Sequence, residues 1–184
     1  TSPLEFPTDY PSILQRIEAT KPLSYGRNRN FIDGDVTYLS PYISRGVIST
    51  KQVFEHACQM GYTPSTIEKF VQELAWRDYW QQIWIEKKDA INSDLRQPQG
   101  NALHTELSTS IIEATTGIDA IDAAIREFYD TGYIHNHVRM YMSMLACHVG
   151  KNHWLQPARW MYYHLLDGDW ASNALSWQWV AGTN

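Results

Sequence analysis

The residues best equipped for chemistry cluster near the end of the chain, in the run His164-Leu-Leu-Asp-Gly-Asp-Trp-Ala-Ser-Asn-Ala-Leu-Ser-Trp-Gln-Trp-Val-Ala-Gly182. Asp167 and Asp169 flank a flexible Gly168, and Asn173 follows one helical turn after Asp169. Trp177 and Trp179 stand on either side of Gln178. A helix that only fills a core has no use for acids, an amide and indoles at this density. The combination suits a site that holds a polar, redox-active ring system. Upstream, Asn136 and Arg139 share one helix face with Met140 beside them, and Arg139 opposite Asp167 and Asp169 invites an ion pair across helices. Such a buried pair is weak evidence for stability and better evidence for a site that controls charge.

Other chemistries are less well supported. His135-Asn136-His137 is an H-x-H pair, but rings at i and i+2 of a helix point apart, and no H-E-x-x-H or Cys/His cluster exists, so no metal site is expected. Neither G-x-G-x-x-G nor G-x-x-x-x-G-K-[ST] is present, which excludes the Rossmann and P-loop phosphate sites. Tyr25-Gly-Arg27-Asn-Arg29 and Thr37-Tyr-Leu39-Ser40-Pro41 offer something different. Ser40 before Pro41 reads as an N-cap and N1 pair, and a helix start with free N–H groups and hydroxyls can take an anion. The alternative is a capped helix with solvent-facing arginines. Glu73, Arg77 and Trp80 fall near one face of a helix, where Glu73 and Arg77, four apart, also fit a plain surface ion pair.

Helices must position these groups, and the periodicity is helical nearly throughout. Pro11–Ala19 carries apolar residues at helical spacing. Ser49-Thr-Lys-Gln52 resembles a capping box ahead of Val53, with Gly61 as a stop. A long helix is expected from Pro64 to Lys88, with Trp76, Trp80 and Trp84 on one stripe. Gln97–Asn101 is a loop. Further helices are expected over Ile118–Thr131, ending at Gly132, over Ile134–Val149, ending at Gly150, over Trp154–Leu165, and from about Trp170. Val36–Leu39 is the only candidate extended piece. The expectation is an all-α protein with one domain over 1–184 and a linker-like N-terminus over 1–9.

Composition narrows the class. The chain has 184 residues, 43% of them hydrophobic, which suffices for a sizeable core. Eight tryptophans are many for this length; they supply buried area and also sites between which electrons hop. A net charge of −5 leaves any nucleic-acid contact to a local patch rather than the overall field. Cys58 and Cys147 fit reduced thiols in a cytoplasmic protein. No apolar run approaches a membrane span, and the N-terminus lacks the features of a signal peptide.

Six motifs in order carry a resemblance. Tyr25; Thr37-x-Leu39-Ser40-Pro-Tyr; Glu73-x-x-Trp76-Arg77; Thr116-Gly-x-x-x-x-Asp122-Ala-Ala; Thr131-Gly-Tyr-Ile-His135-Asn136-x-x-Arg139-Met140; and Asp167-Gly-Asp169-x-x-x-Asn173-x-x-x-Trp177-Gln-Trp179 together resemble the multi-helical FAD-binding lobe of the DNA photolyase/cryptochrome family. The likeness runs from about Phe6 to Gly182. The family's N-terminal α/β antenna domain and the helices that follow the tryptophan pair, with their Phe-Asn-Pro segment, have no counterpart here.

The resemblance implies FAD as cofactor. It places Tyr25, Thr37 and Ser40 at the pyrophosphate, Leu39 among the cofactor-binding residues, Arg77 at the phosphate or ribityl side, and Trp80 in an aromatic position of the same helix. Asp167 pairs with Arg139 beside the isoalloxazine, Asn136 lies on the same side, Asp169 accepts from the ring and Asn173 faces N5. An amide there serves both the oxidised and the protonated, reduced ring. Trp177 and Trp154 align with the two inner members of an electron-transfer chain. The outer member falls near Asn101 or Leu103, where this chain has no tryptophan, so a tyrosine or another tryptophan such as Trp160 takes that part, or the chain is shorter. Core packing is expected for Trp84, Trp160 and Trp170. Glu73, Trp76, Asn136, Met140 and Trp179 align with residues lining the pocket for a flipped cyclobutane pyrimidine dimer, whereas (6-4) enzymes carry histidines at the places of Asn136 and Met140. His137 occupies the place of a DNA-clamping arginine.

Three functions follow from these features: a light-driven lyase that repairs pyrimidine dimers in DNA, a cryptochrome-type flavin sensor or interaction module, and an all-α scaffold without cofactor. Retention of Arg77, Arg139, Asp167, Asp169 and Asn173 counts against the last. The shortened helical lobe also raises a homodimer or a partner chain as a cover for apolar surface.

Overall fold

A computed structural model describes residues 5–184; Thr1–Leu4, the start of the linker-like stretch, lie outside the described residues. Among the described residues ten α-helices follow one another, and the only β pairing is an isolated bridge between His104 and Asn152. Val36–Leu39 is not a strand. The chain divides into two compact units, the first ending at Tyr79 and the second running from Trp80 to Asn184.

In the first unit, α1 (Tyr10–Glu18), α2 (Pro22–Asn28), α3 (Ser40–Ser44) and α4 (Thr50–Gln59) precede α5 (Glu68–Lys87), within which the unit boundary falls. Asp9 caps α1 by accepting from Ser12 N at 2.9 Å, and Ile13 and Ile17, one turn apart, face inward. Ser49 and Gln52 form the expected capping box of α4. Leu39, Val53, Ile67 and Phe70 complete the core. Two expectations are corrected. The first turn of α5 begins at Glu68, not Pro64, because the Thr63, Ser65 and Thr66 hydroxyls bond one another and Thr63 O, which competes with helical pairing. Ser40 is not the N-cap of α3: Leu39, already in the αR region (φ −89°, ψ −15°), takes that place, so Ser40 lies inside the first turn.

The second unit holds the rest of α5, a 3₁₀ turn (Lys88–Asn92), α6 (Thr109–Ile112), α7 (Asp119–Thr131), α8 (Asn136–Met144), α9 (Leu155–His164) and α10 (Trp170–Ala181). α10 packs on α8, α9 and the 3₁₀ turn. It is buried on several sides, through Ala171, Ala174, Leu175, Trp177, Gln178 and Ala181, as befits a helix apolar nearly all round. α8 is shorter than expected: His135 caps it, and after Met144 the backbone widens into a π-helical turn (Leu145–Val149) closed by Gly150 N on Leu145 O at 2.8 Å. Asp122 explains its motif, since its carboxylate accepts from Thr116 N, Thr116 Oγ1 and Gly117 N and ties the preceding loop to the start of α7.

Candidate functional site

Two glycines bring α8 and α10 into register. Gly132, the C-cap of α7, has φ +68°, and a Cβ there would lie 2.7 Å from Leu166 Cγ. That close approach lets Gly132 O accept from Leu166 N at 2.8 Å, which pins the turn before Asp167 against the turn before α8. Gly168 sits where a Cβ would lie 3.1 Å from both Leu165 O and Tyr162 O. The chain therefore turns tightly between Asp167 and Asp169.

The geometry that results is the expected ion pair. Arg139 Nη2 donates to Asp167 Oδ2 at 2.8 Å, with side-chain exposures of 22% and 4%. Arg139 Nε donates to Ile134 O at 2.8 Å, and the guanidinium lies 5.6 Å from the Tyr133 ring centroid. Two fixed donors and an aromatic face leave the guanidinium little freedom. Asp169 serves α10 directly as its N-cap: Oδ2 accepts from Ser172 N at 3.2 Å and from the Ser172 hydroxyl, and Oδ1 accepts from Gln81 Nε2. Asn173, in the first turn of α10, donates from Nδ2 to Ala158 O at 2.8 Å. A backbone carbonyl only accepts, so it fixes which end of that amide is nitrogen.

Trp177 and Trp154 belong to one buried cluster with Phe128, Met142 and Met161; Trp154 is 0% exposed. Trp154 Nε1 donates to Asp94 Oδ1 at 2.7 Å. Trp160 packs against the same cluster and donates to the Tyr129 hydroxyl at 3.0 Å, while the partly buried Trp170 donates to Asn92 Oδ1 at 3.0 Å. Trp84 departs from the core expectation at 38% exposure, because α5 buries only Phe70 along its length. At the start of α8, Asn136 is exposed, Met140 follows one turn later at 36%, and Trp179 on α10 is 63% exposed.

The residues expected at the phosphates fall in the first unit. Tyr25 packs edge-on against Phe70 (5.4 Å), and burial, helped by the Glu73 charge, pushes its hydroxyl up to about 12, so it stays a donor. Thr37 Oγ1 accepts from Leu39 N at 3.4 Å and lines a cavity of about 220 Å³ with Arg16, Lys21, Asp35 and Tyr38. Leu39 is 1% exposed, so its side chain serves the core and only its backbone remains to face a ligand. Glu73 accepts from Arg29 at 3.0 Å and pairs with Lys69 at 3.3 Å. Arg77 follows it by one turn of α5, and Trp76 is 41% exposed with its ring edge-on to Tyr79. Trp80 opens the second unit on the same helix. Among the described residues no cluster of three His, Cys, Asp or Glu is arranged for a metal, and no helix is long and apolar enough to cross a membrane.

Sequence reasoning missed Gln81, Asp94 and His153. Each acts through a partner whose position no motif announces, and the only local signal is an acid in a loop ahead of a tryptophan-bearing helix.

The donor set suits a flavin. A fixed cation–carboxylate pair and an oriented amide match the polar edges of an isoalloxazine, and the hydroxyl and guanidinium groups of the first unit match phosphates. Known proteins agree. The deoxyribodipyrimidine photo-lyase of Streptomyces griseus is 33% identical over 166 residues, which is 86% of this chain and 35% of that protein. The photolyase of Sulfolobus tokodaii superposes with a TM-score of 0.81 at 26% identity, covering 98% of this chain and 42% of that one. A Synechocystis cryptochrome shares the fold, with a TM-score of 0.83 at 21% identity over 99% of this chain and 40% of that one. The chain thus spans little more than a third of the length of the curated relatives it matches. The model of the FAD binding domain of DNA photolyase matches residues 70–184, well over half the sequence, and this chain belongs to that family.

Proposed function

We propose that this chain is the FAD-holding part of a light-driven lyase that splits cyclobutane pyrimidine dimers in DNA. The observation that carries the reading is the buried Arg139–Asp167 pair leading into α10, in a chain whose relatives are named deoxyribodipyrimidine photo-lyases. Bound FAD supplies the chromophore and the electron for dimer cleavage. Arg139 and Asp167 hold a fixed dipole that sets the field at the ring. Asn173, oriented by Ala158 O, keeps its Oδ1 and a second N–H for the N5 edge. Asp169, held at the head of α10 by Gln81 and Ser172, offers the ring a carboxylate that can accept from several donors at once. Tyr25, Thr37, Ser40 and Arg77 supply donors for the phosphates. Trp177 and Trp154, buried in one cluster, would serve as electron donors to a bound flavin. Glu73 and Trp76 in the first unit, and Asn136, Met140 and Trp179 in the second, are the substrate-side residues; the exposed indoles suit stacking on an unpaired base.

Tyr163, 83% exposed, marks surface that a second copy or a partner chain covers in this reading, and the two free cysteines suit a reducing cytoplasm. The test is an absorption spectrum of the purified protein with added FAD, followed by blue-light illumination of dimer-containing single-stranded DNA. The expected result is a stoichiometric flavin spectrum and light-dependent loss of dimers. Protein that takes up no FAD refutes the reading. Bound FAD without dimer loss refutes the lyase and leaves a cryptochrome-type sensor.

A further inference from the structure

One polar contact in the second unit is not used by the reading above. Trp154, 0% exposed, sends its indole N–H to Asp94 Oδ1 at 2.7 Å. Trp160 and Trp170 donate to neutral oxygens at 3.0 Å. The shorter distance is that of a charge-assisted bond. His153 Nε2 lies 3.1 Å from the same Asp94 oxygen, and His153 Nδ1 accepts from Leu155 N at 3.4 Å, which makes Nε2 the nitrogen that donates to Asp94. Asp94 Oδ2 accepts from Gln99 N at 2.9 Å. Gln99 Oε1 in turn accepts from Trp154 N at 3.0 Å, so carboxylate and indole are held by one small network. The Asp94 side chain is 19% exposed, so it connects a fully enclosed indole with solvent.

We propose that Asp94 is the base that takes the indole proton of Trp154 when that residue is oxidised, so that the hole is held there as a neutral radical. The inference rests on the reading of Trp177 and Trp154 as an electron path. Trp154 gives one electron to Trp177, which has itself given one to photoexcited oxidised flavin. The Nε1–H bond of Trp154 breaks, its proton moves to Asp94 Oδ1, and an O–H bond forms there. A positive indole in a cluster of Phe128, Ala158 and Met161 is poorly solvated. After the transfer both partners are neutral, and return of the electron is slowed because the proton must return with it. His153 and Gln99 keep the accepting oxygen aimed at Nε1, and reduction of Trp154 reverses the step.

The test is transient absorption of the FAD-loaded protein after a blue flash, comparing the parent with Asp94→Asn, which keeps an acceptor oxygen but cannot take the proton. Trp154→Phe identifies the Trp154 signal. In the parent, the cation spectrum should convert to that of the neutral radical, more slowly in D₂O. In Asp94→Asn the conversion should slow by about 100-fold, the low end of what a positioned base contributes. Equal conversion in parent and variant overturns the proposal, as does a parent signal with no D₂O effect. If the protein binds FAD but forms no tryptophan radical, the electron path itself is wrong. Ultraviolet photoionisation of flavin-free protein then tests Asp94 directly, with the Trp154 signal taken as the difference between the parent and Trp154→Phe. Slower proton loss from Trp154 in Asp94→Asn supports the assignment there, and an equal rate in parent and variant sinks it.

Discussion

Asp167→Ala removes the carboxylate that holds Arg139 and leaves a largely enclosed guanidinium with Ile134 O and the Tyr133 ring as its remaining contacts. Breaking a fully buried pair costs roughly 3–5 kcal/mol. Arg139 is 22% exposed and keeps its bond to Ile134 O, so part of its charge can be rehydrated, and a cost of about 2–3 kcal/mol is expected. For a chain of this size that is a fall in melting temperature of about 5–10 °C. Asp167→Asn keeps an acceptor for Nη2 and should cost only about 1 kcal/mol. Replacing both partners by leucine removes the stranded charge and should recover most of the loss, because a well-packed apolar pair can match a buried ion pair. Thermal unfolding of the flavin-free protein reads these effects, and FAD retention on a desalting column reads the second consequence, a weaker hold on the ring in Asp167→Ala. Melting of Asp167→Ala within about 1 °C of the parent, or a double variant less stable than Asp167→Ala, would refute the argument from a buried, charge-controlling pair.

Three further outcomes are expected. Gly132→Ala forces a Cβ into φ +68° and to 2.7 Å from Leu166 Cγ, and should destabilise by about 2 kcal/mol or more; an unchanged midpoint in urea contradicts the pinning role of this glycine. Asp35 is held down to about 2, first by the Ser24 hydroxyl, then by Asn28 and Lys21. Its folded value lies below the ordinary 3.8, so its contribution is present above 3.8 and is lost as pH falls towards about 2. Asp35→Asn should therefore flatten the acid limb of a stability–pH curve, and an identical limb in parent and variant would exclude the cluster as its cause. Trp177→Phe trims a 3% exposed indole and should cost about 1–2 kcal/mol while slowing flavin photoreduction and leaving FAD occupancy intact; equal photoreduction rates remove Trp177 from the electron path.

What could be read from the sequence depended on how local the cause was. The Ser49/Gln52 capping box and the αL stop at Gly132 involve residues within one turn, and both stand as expected. The Arg139–Asp167 pair was legible although 28 positions separate the two, because Arg139 lies on a face defined by helical spacing and Asp167 belongs to an Asp-Gly-Asp turn that leads directly into the next helix. Ser40 misled because serine before proline usually marks a cap, yet Leu39 had already entered the helical region. α2 carries Gly26 in its interior and only seven residues, too few for a period to emerge. The π-helical turn after Met144 has no composition of its own, and Trp84 looked like core because periodicity cannot say whether anything covers a stripe. Asp94 was invisible for a different reason: its partner lies 60 positions away and the residue occupies an irregular loop, where spacing carries no orientation.

α10 has a consequence for which changes the molecule can survive. Asn173 and Trp177 are one turn apart on the same rod, about 6 Å along its axis, and Trp179 follows on the opposite side. The helix acts as a ruler: ring contact, electron donor and outward-facing indole are spaced by helical geometry rather than by loops that could drift. Lengthening the Gln97–Asn101 loop leaves those intervals untouched. Inserting one residue between Asn173 and Trp177 rotates everything beyond it by about 100°. That single insertion swings Trp177 out of the cluster it shares with Trp154 and brings a neighbour such as Ser176 inward, so the tolerance of this chain to length changes should fall abruptly at Trp170 and rise again only after Ala181.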